Sequence, residues 1–139
     1  MSKVNSQSLN RIVDANFNRA KEGLRVCEDV CRFILDQRSL TADYKDIRHR
    51  LSLLWSKLGG KQMVAGRDTR HDVGTASLKA EFSRRNVQDI FYANSQRIKE
   101  SIRVLEEFAK LKDLPAAAGL KKLRYRIYAV ERSVLKRWR

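Results

Sequence analysis

Ala15-Asn16-Phe17-Asn18-Arg19-Ala20-Lys21-Glu22-Gly23-Leu24-Arg25-Val26-Cys27-Glu28-Asp29 decides the fold, because its pattern returns as Ala93-Asn94-x-x-Arg97-x-Lys99-Glu100-x-x-Arg103-Val104-x-Glu106-Glu107 at a constant offset of 78 residues. A shorter echo follows each copy. Lys45-x-Ile47-Arg48-x-Arg50-Leu51 resembles Lys121-x-Leu123-Arg124-x-Arg126-Ile127, at an offset of 76. The repeating unit is therefore a helix, a short link and a second helix. What recurs is mainly polar. A repeat kept only for packing would hold its apolar positions and let the charges drift, so two copies of one Asn, Arg and Glu constellation point to two copies of a polar site.

Periodicity supplies the elements. From about Leu9 to Asp36, Val13, Phe17, Ala20, Leu24, Cys27, Cys31 and Ile34 recur at spacings of three and four, the signature of a long amphipathic helix. Ser39 or Thr41 can cap a second helix carrying Ile47, Leu51, Leu54 and Leu58, which Gly59-Gly60 stops. Asn86 is the cap expected for a third helix with Ile90 or Phe91, Ile98, Ile102, Leu105 and Ala109, and Pro115 suits the first turn of a fourth. Gln62-Met63-Val64-Ala65 could form a short strand, but an isolated strand has nothing to pair with, and the all-α reading stands. The predicted architecture is all-α, a bundle of two repeated helical hairpins joined by a long functional loop. It is expected to form one domain over 1–139, with repeat one at about 9–58, the loop at about 59–85 and repeat two at about 86–138.

At 139 residues, with 42% hydrophobic residues and one proline, the chain can bury a core without disulfides or metal. Cys27 and Cys31 lie one helical turn apart, poorly placed for a disulfide, and read as buried thiols. No apolar run is long enough to span a membrane and no signal peptide opens the chain, so the expected location is the cytoplasm. The net charge of +14 implies anionic partners: nucleic acid, acidic lipid or phosphorylated metabolites. Basic residues are spread through every segment, with a small cluster at Lys136-Arg137-Trp138-Arg139.

The stripe beside the apolar one is Ile12, Asn16, Arg19, Gly23, Val26, Val30 and Phe33, and in the second copy Ile90, Asn94, Arg97, Ser101, Val104, Phe108 and Leu111. An Asn and an Arg one turn apart, then a small residue, put donors beside a hollow in an inward-facing row. A buried Arg needs an anion. Its structural alternative is an internal ion pair, Arg19 with Glu22 or Asp29 and Arg97 with Glu100 or Glu107. Arg25 and Arg103, on the flank, serve equally as ligand contacts or as surface partners of neighbouring carboxylates.

The middle segment has no counterpart and holds Arg67-Asp68-Thr69-Arg70-His71-Asp72-Val73-Gly74-Thr75. Asp68 and Asp72 could hold a hydrated Mg²⁺ while backbone amides around Thr69, Gly74 and Thr75 approach phosphate oxygens. An Asx-type turn is the alternative for the same residues. Gly59-Gly60-Lys61-Gln62 lacks the spacing of a P-loop, and neither His49 nor His71 has flanking zinc ligands.

Asn16-Phe17-Asn18-Arg19-x-x-Glu22-Gly23-Leu24-Arg25-Val26-x-Glu28-Asp29, Arg67-Asp68-Thr69-x-x-Asp72-Val73-Gly74-Thr75 and Ala93-Asn94-x-x-Arg97-x-x-Glu100-x-x-Arg103-x-Leu105-Glu106-Glu107 together resemble the compact hydroxymethylpyrimidine-phosphate kinases of bacterial thiamine synthesis. Members of that family often occur fused ahead of thiamine-phosphate synthase; ending at Arg139, this chain is expected to be a stand-alone form. The resemblance implies ATP-dependent conversion of 4-amino-5-hydroxymethyl-2-methylpyrimidine phosphate to its diphosphate, with the free alcohol not phosphorylated. The implied partners are ATP with Mg²⁺ and the phosphorylated pyrimidine; association with thiamine-phosphate synthase or with further copies of the chain is left open.

Residue roles follow from the chemistry. The acceptor is an ionised phosphate oxygen, so catalysis reduces to aligning two polyanions and neutralising their charge. Arg19, Arg97 and Arg67 are the candidates for phosphate oxygens, Asp68 and Asp72 for Mg²⁺, and Glu22 and Glu100 for orienting groups or further ligands. Asn16 and Asn94 suit an aminopyrimidine or adenine edge, and the two repeats would then form two half-sites. The competing classes are a basic helical nucleic-acid-binding module, disfavoured by the repeated glutamates, and a protein-docking scaffold.

Overall fold

A computed structural model describes residues 5–76 and 83–138. Residues 77–82 of the expected loop, and Arg139 of the terminal basic cluster, lie outside the described residues. Helix α1 spans Ser6–Asp29 and runs into one π-helical turn, Val30–Ile34; α2 spans Arg38–Lys57. A four-residue helix, α3 (Gly60–Met63), and a 3₁₀ turn, Val64–Gly66, follow, then α4 (Val87–Ala109) and α5 (Leu114–Lys136).

Local chemistry explains most of the ends. Asn5 caps α1 by accepting from the Gln7 amide, Asn86 caps α4 through the Asp89 amide as expected, and Asp113 caps α5 ahead of Pro115. Helix α2 starts earlier than expected: its cap is Gln37, which makes no side-chain capping bond, and Thr41 Oγ1 donates back to the Gln37 carbonyl instead. Gly59 leaves α2 in the left-handed region at φ 81°, where a side chain would be strained. Beyond it Gln62-Met63-Val64-Ala65 forms helical turns and not a strand, in keeping with its lack of a pairing partner. A lone strand has no ladder to satisfy its backbone, and residues 60–66 close their own bonds as helical turns.

The hairpins α1/α2 and α4/α5 pack as a four-helix bundle in which α1 touches α4 and α2 touches α5. Exchanging the hairpins maps these contacts onto themselves, so the sequence repeat becomes a pseudo-dyad. Helices α1 and α4 are antiparallel and very close where they cross: a Cβ on Gly23 would stand 2.8 Å from Ile98 Cγ1 and 3.1 Å from the Asn94 carbonyl oxygen. The core comprises Leu24, Cys27, Tyr44, Ile47, Leu51, Phe91, Ile98, Ile102, Leu120, Ile127 and their neighbours, each large aliphatic contributing about 1.5–3 kcal/mol by burial.

Polar residues also hold the hairpins. Buried Glu28 accepts from Arg48 Nε at 3.1 Å, and its repeat equivalent Glu106 accepts from Arg124 through two guanidinium nitrogens. One ion pair thus ties the first helix to the second in each hairpin. The repeats differ just beside it. Phe17 stacks on Trp55 with ring centroids 4.2 Å apart, whereas their counterparts are Ser95 and Glu131, the latter bound through both oxygens by Lys99 at 3.0 Å.

Candidate functional site

Helix α1 turns Ile12, Ala15, Asn16 and Arg19 to one side because they follow its three- and four-residue spacing. The loop after the 3₁₀ turn crosses that side. Together they form a cleft of about 350 Å³ lined by Ser8, Arg11, Ile12, Ala15, Asn16, Arg19 and Asp72. Its polar groups are arranged in sequence. Asn16 Nδ2 donates to the Ile12 carbonyl at 2.8 Å, which leaves its Oδ1 to accept from Arg19 at 3.3 Å. Among the described residues no carboxylate comes within ion-pair distance of Arg11 or Arg19.

A residue not singled out from the sequence holds the loop in place. Asp14 is buried on α1 and receives a forked pair from Arg67, Nε at 2.5 Å and a terminal nitrogen at 2.9 Å. Hydrogen bonding to that carboxylate raises the Arg67 pKa further, so the guanidinium stays charged. Arg67 therefore meets a protein carboxylate where a ligand phosphate was expected. Position 92, the repeat counterpart of Asp14, is a tyrosine, so the repeat pattern contained no signal for it. A charged residue set within the apolar spacing of α1 was the available clue.

Asp68 and Asp72 form local turns, the Asx reading of this segment. Asp68 accepts from the His71 backbone amide at 3.1 Å and contacts the His71 ring nitrogen with both oxygens. Asp72 Oδ1 accepts from the Gly74 amide at 2.8 Å, and Thr75 Oγ1 donates to the Asp72 carbonyl. No three acidic, His or Cys side chains gather as a metal cage among the described residues. Asp72 lines the cleft with only Oδ1 engaged by the Gly74 amide, and a carboxylate of this kind fits a hydrated Mg²⁺ entering with phosphates. Asp68 is directed at His71, and Thr69 is exposed.

The second copy of the constellation stands elsewhere. The Asn94 carbonyl lies against Gly23, two turns or roughly 11 Å along α1 from Asn16. Asn94 repeats the bond of Asn16 by donating to the Ile90 carbonyl, while Arg97 is exposed. Glu100 and Arg103 line a different groove of about 290 Å³ between α4 and α5, with Lys99, Arg124 and Tyr128. Glu22 is exposed on α1.

Arg19 and Arg97 are exposed, not turned inward, because the stripe follows the rim of the α1/α4 contact. The small residues make no hollow: Gly23 admits the closest approach of α4, and buried Ser101 satisfies its hydroxyl on the Arg97 carbonyl. The internal ion pairs involve other residues than Arg19 and Arg97. Arg25 contacts Glu28 at 3.6 Å and Arg103 contacts Glu107 at 2.6 Å, the surface-partner role considered for them.

The pattern of the ThiD2 family matches residues 11–133. The chain belongs to the ThiD2 family. It is 43% identical over 136 residues to the thiamine-phosphate synthase of Synechocystis sp., covering 97% of this chain and 38% of the relative. It is 40% identical to that of Thermosynechococcus vestitus over 92% of this chain and 36% of the relative, and 39% identical to that of Rhodopirellula baltica over 96% and 36%. The chain thus spans little more than a third of the length of these relatives. No solved structure matches it. No described helix is long and apolar enough to cross a membrane.

Proposed function

We propose that this ThiD2 family chain serves thiamine biosynthesis by transferring the γ-phosphoryl group of ATP to 4-amino-5-hydroxymethyl-2-methylpyrimidine phosphate, giving the diphosphate. One observation carries the chemistry: Asn16, Arg11, Arg19 and Asp72, drawn from α1 and from a distant loop, share one cleft whose arginines have no carboxylate partner among the described residues. The acceptor comes from the family resemblance, and the name of the relatives supports the same pathway.

The reaction needs little from a general base, because the attacking phosphate oxygen is already ionised. Arg11 and Arg19 would neutralise phosphate oxygens by forked hydrogen bonds. Asn16, fixed by its bond to the Ile12 carbonyl, holds the Arg19 guanidinium in register. When bound, Mg²⁺ would supply charge neutralisation between adjacent phosphoryl groups, with Asp72 as its protein ligand. Arg67 and Asp14 act at one remove, as the pair that fixes the loop bearing Asp72. Arg97 and Asn94 remain candidates for the second half-site across the pseudo-dyad.

The test is ADP release by the purified chain with ATP and Mg²⁺, comparing the pyrimidine monophosphate with the free alcohol. Turnover with the monophosphate alone, lost on adding EDTA, is expected. No ADP formation with either acceptor would overturn the proposal.

A further inference from the structure

On the first hairpin, away from the α1 cleft, the turn joining α1 to α2 and the start of α2 enclose a groove of about 500 Å³ with Arg32, Arg38 and Lys45 in its wall. The second hairpin carries a counterpart of about 510 Å³, in which Lys110, Ala118 and Lys121 take the places of Arg32, Ala42 and Lys45. The two grooves are similar in volume but differ in how their cations are partnered. In the second, Lys110 and Arg103 both close on Glu107, at 2.8 and 2.6 Å, and Arg124 closes on Glu106. In the first, none of Arg32, Arg38 and Lys45 has a carboxylate within 4.0 Å among the described residues.

Asp36 is the single carboxylate of that lining, so three cations and one anion leave it net positive. Arg32 rests over the Phe33 ring at 4.7 Å, a contact that orients the guanidinium without neutralising it. Like charges gathered in one concave wall raise the local potential and favour a multiply charged anion that can meet several of them together. A single phosphate can be bridged by one forked arginine, whereas three cations around a groove of this size match an ion with two phosphoryl groups.

We propose that the groove between the α1–α2 turn and the start of α2 is a binding site for a diphosphate-class anion, separate from the α1 cleft. The groove of the second hairpin is its natural control, since three of its four lining cations, Arg103, Lys110 and Arg124, are already held by Glu106 and Glu107. The proposal does not use the kinase reading. Binding at the groove and ADP release succeed or fail independently.

The experiment is a ¹⁵N-resolved titration of the full chain with inorganic pyrophosphate at near-physiological salt. Saturable shifts at Arg32, Arg38, Thr41 and Ala42 are expected, with Lys110, Ala118 and Lys121 unmoved. The variant R32Q/R38Q/K45Q should weaken this binding at least about tenfold, whereas R19M should leave it intact. Shifts that do not saturate, that are equal in both grooves, or that vanish in R19M would overturn the proposal. A single-stranded oligonucleotide that moves the same amides more tightly than pyrophosphate would overturn it too, by assigning the surface to nucleic acid.

Discussion

Asp14 shows how much one carboxylate can decide. It is buried on α1, and its forked pair with Arg67 fixes where the following loop leaves the bundle, hence where Asp72 stands. We expect R19M to lower turnover on the order of a hundredfold with helicity unchanged, since it removes a charge that would face the transferred phosphoryl group. D14N, which alters only the anchor, should lower it less, on the order of tenfold. Steady-state ADP release with circular dichroism on the same samples checks both; full activity in R19M would remove the cleft from the mechanism. The thiols give a pH prediction. Burial, then the nearby Asp43 and Glu28 carboxylates, pushes Cys31 from 9.0 up to about 11, and burial pushes Cys27 up as well. A raised folded pKa means that the unfolded chain loses its protons first, so their stability contribution is complete below pH 9.0 and is lost as pH rises toward 11. Urea midpoints should fall through that window and fall less in C31A, while thiol reagents at neutral pH should label only denaturant-unfolded protein.

At the scale of the element, the helices are held by two contacts of opposite character. The α1/α4 crossing depends on a missing side chain, since any Cβ at Gly23 meets Ile98 and the Asn94 backbone. The hairpins depend on the Glu28–Arg48 and Glu106–Arg124 pairs, where the acid is buried and the arginine caps it toward solvent. G23A should cost about 1–3 kcal/mol through overpacking. R124M should cost about 3–5 kcal/mol by leaving Glu106 buried without its partner. Urea denaturation of both variants tests the order, and an R124M variant as stable as wild type would show Glu106 rescued by Arg103, which reaches it at 4.0 Å. Both members of each pair were visible as repeated residues in the sequence. Their partnership was not, because the two members lie on different helices and only the hairpin's closure brings them together.

At the scale of the whole molecule, the hairpins share one core instead of each keeping its own. Phe91 of α4 packs edge-on to Tyr44 of α2 and to Trp138 after α5, with ring centroids 6.5 and 5.5 Å apart, and Cys27 of α1 reaches the Phe91 carbonyl. Such interlocking predicts one cooperative unfolding transition. Trp55 reports on the first hairpin and Trp138 on the second, so single-tryptophan variants should give the same urea midpoint; two midpoints would mean that the hairpins unfold separately. The helices, their order and the internal symmetry were legible from Ala15–Asp29 and its return, because apolar spacing and capping residues act locally along the chain. Asn16, Arg19 and Asp72 each stood out in the sequence, but that they line one cleft did not. Which copy of the constellation meets the loop, that the arginines lie on a rim with their faces to solvent, and that Arg67 belongs to Asp14 were decided only by the tertiary structure. Periodicity records which side of a helix a residue occupies, but contacts between distant segments depend on how closely the helices approach, and here a single hydrogen atom at Gly23 sets that approach.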